Sequence, residues 1–148
     1  MAKKNKIEIG IAGEYYAAGK LSIEGYKVSM TPGNTKGIDL FVADGNKAKM
    51  IQVKTTEGPK SEWVVPRLTE ANPNFLFVFV NLNPKKDCSC HSFHIVPSSV
   101  VKKQLDKKDA EYKEKQKKAG KQVKEGAKGV CRFDDFEGKY LNAWKHIG

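Results

Sequence analysis

The sequence predicts an α/β protein: one central mixed β-sheet flanked by helices. Three observations predict it. A helical apolar period opens the chain, strand-length runs separated by turn formers follow, and helical spacing returns in a lysine-rich final third. At 148 residues the chain has the size of one domain, enough to bury a core without disulfide or metal staples. Hydrophobic content of 39% with 9% aromatics argues against wholesale disorder, and 30% charged residues exclude a chain made of membrane spans.

Residues Ile7 to Glu24 read as a helix, because Ile7, Ile11, Ala18 and Leu21 share one face and Gly25 supplies a C-terminal stop. From Tyr26 to Met30 the period shortens to that of a strand. Thr31-Pro32-Gly33-Asn34-Thr35-Lys36-Gly37 is a polar loop of turn formers. Strands at Ile38 to Ala43 and Ala48 to Thr55 flank Asp44-Gly45-Asn46-Lys47, whose Asp-Gly pair signals a hairpin. Phe75 to Leu82 is almost entirely apolar and so reads as a mid-sheet strand buried on both faces. Ser92 to Val96 is a further short strand, after which Pro97-Ser98-Ser99 reads as a helix entry. A basic helical segment and flexible linker then occupy about 98–130, with a thin apolar stripe of Val101, Leu105 and Tyr112 and with Gly120, Gly126 and Gly129 loosening its end. Phe136, Tyr140, Ala143 and Ile147 keep helical spacing and predict a C-terminal helix over 134–147. Residues 1–148 form one domain, with no internal repeat.

Basic residues number 27 against 17 acidic ones, a net charge of +10, and only Arg67 and Arg132 are arginine. Lysine in this excess suits long-range attraction to phosphates, so nucleic acid is the expected partner, against the plainer reading of a solvated lysine-rich surface. Between Lys102 and Lys128 eleven lysines face five acids, and Lys107, Lys108, Lys115, Lys117 and Lys118 are the candidate contacts to a DNA backbone. No run approaches 18 apolar residues, so neither export nor membrane anchoring is expected. The odd set Cys88, Cys90 and Cys131 points to a reducing, cytoplasmic setting.

On the first helix Glu14 occupies the centre of the 7, 11, 14, 18, 21 stripe, where a carboxylate needs a cation or donors unless it lies at the stripe's edge and reaches water. A turn centred on Gly45-Asn46 sets Asp39 opposite Gln52, and alternation sends Gln52 and Lys54 to one face of their strand. Cys88, Cys90, His91 and His94 place four zinc-capable side chains within seven residues. Their spacing is too tight for a structural zinc site, so a reduced-thiol loop is expected instead.

Gly13-Glu14 on a helix, Gly37-Ile38-Asp39-Leu40 on a strand and Ile51-Gln52-Val53-Lys54-Thr55 on the next resemble the PD-(D/E)XK nuclease superfamily, with its restriction-endonuclease-like fold. The motifs cover about Ile7 to Thr56; Phe75–Leu82 and Phe93–Pro97 look like later core strands of that fold. The resemblance implies a Mg²⁺-dependent phosphodiesterase, with Mn²⁺ able to substitute. It makes Asp39 the central metal ligand, Gln52 the occupant of the usual Glu or Asp position, Lys54 the motif lysine and Glu14 the helix carboxylate. Ile38 stands where the family has Pro. With Gln52 neutral, the site has two carboxylates where the family usually has three.

Mg²⁺ prefers oxygen ligands, which Asp39, the Gln52 amide and the Val53 backbone carbonyl would supply, with Glu14 bound directly or through water. Lys54 would orient water and stabilise developing charge, and Lys36 and Thr55 would support the scissile phosphate. The expected activity is hydrolysis of DNA in restriction or DNA processing, by a homodimer or a subunit of a larger complex. The alternatives are a restriction-endonuclease-like module that binds nucleic acid without cutting it, and a lysine-rich interaction domain with no catalytic site.

Overall fold

The computed structural model describes residues 5–32, 36–83, 90–123 and 130–148. Helix α1 (Lys6–Ile23) begins at Asn5, whose side chain caps the Ile7 N–H while Glu8 accepts the Asn5 N–H in return. It ends as predicted at Gly25. Strands β1 (Lys27–Met30), β2 (Leu40–Asp44) and β3 (Lys47–Glu57) then form an antiparallel meander, with Gly45-Asn46 as the two-residue loop between β2 and β3. Strand β4 (Glu62–Val65) leaves this sheet, β5 (Phe75–Leu82) returns parallel to β3, and β6 (Ser92–Pro97) pairs antiparallel with β5. The result is a five-stranded mixed sheet in the order β1-β2-β3-β5-β6. The α/β prediction holds, and β5 is flanked on both sides and buried on both faces, as its apolar run required.

Alternation along β5 divides the core. Leu76, Val78, Val80 and Leu82 pack with Ile51, Val53, Leu40 and Val42 beneath Ala17 and Leu21 of α1. Phe77 and Phe79 point to the other face, where they meet Trp63, Val65, Phe133 and Val101. That second face is covered by α2 (Ser98–Lys118) and by a two-stranded sheet of β4 with β7 (Cys131–Asp134). The sequence pattern predicts neither β4 nor β7, each only four residues long. The parallel return from β3 to β5 must cross one face of the sheet, and here β4 makes that crossing in place of a helix.

The predicted entry serines do not cap α2. Ser98 instead bonds both the N–H and the carbonyl of Asn72, tying the loop before β5 to the helix start. Residues 124–129 of the predicted linker lie outside the described residues. The predicted helix over 134–147 is not formed. Asp135 accepts the N–H groups of Lys139 and Tyr140 and faces His94 Nδ1 at 2.6 Å, and Gly138 and Asn142 take positive φ values of 67° and 51°, which a helix cannot contain. The segment instead lies along the open edge of β6, where Ile95 N–H donates to Tyr140 and Asn142 N–H donates to Phe93. Covering a sheet edge satisfies its ladder groups, and this outweighs the helical spacing of residues 136–147. Only a 3₁₀ turn, Trp144–His146, remains. Among the described residues no helix is long and apolar enough to cross a membrane.

Candidate active site

The first element that positions the site is α1, and it packs on a different stripe from the one predicted. Ile7 and Ile11 are 67% and 45% exposed; the buried face is Gly13, Ala17 and Leu21. Small residues bring this helix closest to the sheet. A Cβ at position 13 would fall 1.8 Å from Thr55 Oγ1, so only glycine lets α1 rest directly on β3. Glu14, the next residue, is therefore at the margin of the buried stripe, half-buried, where the charges of Asp39 and Lys54 act on its carboxyl.

The second element is the start of β2. The predicted register holds from Leu40, which pairs with Ile51, to Asp44, which pairs with Lys47. At Asp39 it departs by one residue, because the Asp39 N–H also donates to Ile51 O, at 2.9 Å. Two residues of one strand thus oppose one of the other, which is a β-bulge. The Asp39 side chain consequently does not sit squarely across from Gln52. Its Oδ2 turns to the strand edge and accepts the Val53 N–H at 2.7 Å. Ile51 O and Val53 N–H both face β2, so the Val53 carbonyl emerges on that same edge.

The third element is β3. Gln52 and Lys54 share its other face, in register with Phe77 and Phe79; Gln52 is buried and Lys54 half-buried. Desolvation raises the Glu14 carboxyl above the usual range, the nearby Asp39 charge raises it further, and Lys54 opposes both. Asp39 is also raised by desolvation, against the lowering effects of the Val53 N–H and of Lys54. Glu14, Asp39 and Lys54 form one electrostatic cluster, with Gln52 two residues before Lys54. Two partly desolvated carboxylates and a strand-edge carbonyl are hard oxygen donors of the kind a divalent cation such as Mg²⁺ takes, whereas Gln52 lies on the sheet face away from α1, in register with Phe77. Such a cation would relieve the cost of keeping both carboxylates ionised.

Other predicted contacts fall elsewhere. Thr55 faces α1 rather than solvent, and its Oγ1 is buried with no hydrogen-bond partner, so it packs under Gly13 and does not support a phosphate. Lys36 is exposed at the turn before Asp39. On α2, Lys107 pairs with Glu111 and Lys118 with Glu114, while Lys108 binds the Asp134 carboxylate and the Arg132 carbonyl. Lys108 is thus a tie between α2 and β7. Lys115 and Lys117 lie exposed in the last turn. Cys88 lies outside the described residues. His91 packs edge-on against Tyr16 and His94 is buried against Asp135, and among the described residues no three His, Cys, Asp or Glu side chains group as a metal site.

The sequence places Thr31 only in a loop, yet its hydroxyl donates to the Ile38 carbonyl at 2.7 Å and lies 3.2 Å from the Asp39 carbonyl. The signal available in sequence was a β-branched hydroxyl directly after a strand and before Pro32.

No protein-family model and no curated protein matches the sequence. Among solved structures the chain is similar to a bacterial homing endonuclease, I-Ssp6803I, with a TM-score of 0.60. The match covers 98% of this chain and 92% of that one, at 12% sequence identity. The likeness at this identity is one of fold, and it spans the five-stranded sheet together with the elements on both of its faces.

Proposed function

We propose that this protein is a metal-dependent endonuclease that hydrolyses phosphodiester bonds in DNA, using Mg²⁺ and accepting Mn²⁺. The observation that supports the reading is that the charges of Glu14, Asp39 and Lys54 act on one another around a bulge whose Asp39 carboxylate is fixed by the Val53 N–H. The fold shared with a homing endonuclease and the net charge of +10 support it. The ordered set of helix Glu, strand Asp and Gln-x-Lys is also the pattern that resembles PD-(D/E)XK nucleases.

In this reading Asp39, the Val53 carbonyl and Glu14 would hold the cation, and Gln52 would have to turn from the other face of β3 toward the strand edge to join them. When bound, the metal lowers the pKa of a coordinated water and neutralises charge on the phosphate. The Val53 N–H fixes one oxygen of Asp39 and so sets the direction of the carboxylate. The Lys54 ammonium orients the attacking water and offsets charge as it develops on the phosphate oxygens. Lys36, exposed beside the site, meets the incoming backbone. Incubating the purified protein with plasmid, branched and single-stranded DNA in Mg²⁺, Mn²⁺ or EDTA tests this. Cleavage in both metals and none in EDTA is expected.

One feature favours a second reading: neutral Gln52 leaves the site one carboxylate short of the usual three. A module that binds nucleic acid without cutting it would show salt-dependent DNA binding and intact DNA in every metal.

A further inference from the structure

Thr31 stands immediately after β1, half-buried, and grips the chain at the point where the bulge forms. Its N–H donates to the Asp39 carbonyl at 3.0 Å, which continues the β1–β2 ladder one step past Met30 and Leu40. Its hydroxyl donates to Ile38 O at 2.7 Å and lies within 3.2 Å of Asp39 O. The same residue therefore holds two consecutive carbonyls. In regular pairing, the Asp39 N–H and carbonyl would leave the strand on the same side. Here the carbonyl points to Thr31, just past β1, while the N–H points to Ile51 on β3. Such a twist of one residue needs partners on both sides, and Thr31 supplies them on one side.

We infer that Thr31 is a positioning residue for the candidate site, its hydroxyl holding the Ile38–Asp39 peptide so that the Asp39 carboxylate meets the Val53 N–H and presents itself to a divalent cation. Thr31 touches neither cation nor substrate in this assignment. Its effect passes through the bulge to Asp39. The catalytic consequence rests on the metal-dependent nuclease reading; the geometric one does not.

The test compares Thr31→Val, which keeps shape and β-branching but removes the O–H, with Thr31→Ser, which keeps the O–H. Hydrogen exchange of the Val53 amide, followed by NMR in metal-free protein, reports the bond to Asp39 without any need for activity. Exchange at Leu40 and Val42 reports whether the β2–β3 pairing itself survives. In Thr31→Val the Val53 amide is expected to exchange about tenfold faster while Leu40 and Val42 stay protected, and Thr31→Ser is expected to match the parent. In cleavage assays Thr31→Val is expected to need about tenfold more Mg²⁺ for half-maximal rate, with the rate at saturating Mg²⁺ changed by less than about threefold. Unchanged Val53 exchange in Thr31→Val overturns the proposal, as does a Thr31→Ser variant as impaired as Thr31→Val. Should the parent protein cut no DNA in any metal, the nuclease reading fails, and the Val53 amide still decides the role of Thr31.

Discussion

Asp39 is pulled in two directions: burial disfavours its charge, while the Val53 N–H and Lys54 favour it, and the net effect is a raised pKa. Glu14 is raised by desolvation and by Asp39. The consequence for stability has a definite sign. A carboxyl whose pKa is higher folded than unfolded binds more protons in the native state, so metal-free stability falls as pH rises from the usual carboxylate range through the raised values. Glu14→Gln removes that penalty and is expected to raise the Tm in EDTA at neutral pH while lowering cleavage. Thermal melts of the two proteins at several pH values check it; an equal or lower Tm for the variant at neutral pH contradicts the assignment. Bound Mg²⁺ should reverse the trend, stabilising the parent more as pH rises, because protons and metal compete for the same oxygens. Asp39→Ala, unlike Asp39→Asn, also leaves the Val53 N–H without its acceptor, at a cost of about 1–3 kcal/mol. The two substitutions thus separate a stability effect from a catalytic one.

At the scale of elements, the position of Glu14 depends on Gly13. Because a Cβ there would overlap the Thr55 side chain, Gly13→Ala is expected to destabilise the fold by about 1–3 kcal/mol and to weaken cleavage by shifting α1 away from β3. Thr55→Ala in the same chain opens the space, so denaturation of the single and double variants should show the two changes coupled rather than additive.

This helix also marks the limit of what sequence reveals. Its extent and its stop at Gly25 are legible from periodicity and turn chemistry. Its buried face is not, since apolarity points to Ile7 and Ile11 whereas close approach selects Gly13 and Ala17. The β2–β3 hairpin register is legible from the Asp-Gly turn as far as Leu40, but the opposition of Asp39 and Gln52 that it predicts is displaced by the bulge. The bulge rests on a single hydrogen bond to Ile51 and on Thr31, and no local pattern announces it. The helical spacing of residues 136–147 misleads for another reason: it encodes contacts made while covering the β6 edge, with Ile147 buried and Phe136 exposed.

At the scale of the whole molecule, the net charge of +10 is not spread evenly over free lysines. Each acid of α2, namely Asp106, Asp109, Glu111 and Glu114, has a basic partner on the same helix four residues away. Lys108 is committed to β7. The attraction of α2 for a polyanion therefore falls chiefly on Lys103 near its start and on Lys115 and Lys117 near its end. Changing Lys115 and Lys117 to Gln should lower the slope of log affinity against log salt by up to about two, since each phosphate contact contributes roughly 0.9. The same two changes at Lys107 and Lys118 should lower it less. Fluorescence anisotropy on duplex DNA across a salt series makes the comparison, and equal effects of the two pairs would mean that the carboxylates do not shield their lysines. The fold class and the buried β5 were legible at this scale because they follow from composition and apolar runs. The β4–β7 sheet was not, because four-residue strands carry too few alternations to stand out from loops.

If Asp39 and Lys54 act together on a phosphodiester bond, as proposed, supercoiled plasmid shows it most directly. Nicking and linearisation by the parent protein, Asp39→Asn and Lys54→Ala are measured at saturating Mg²⁺, with circular dichroism confirming that all three are folded. Loss of at least about 10²-fold in rate for each variant is the expected result. Cleavage at the parent's rate by folded Asp39→Asn or Lys54→Ala would contradict it.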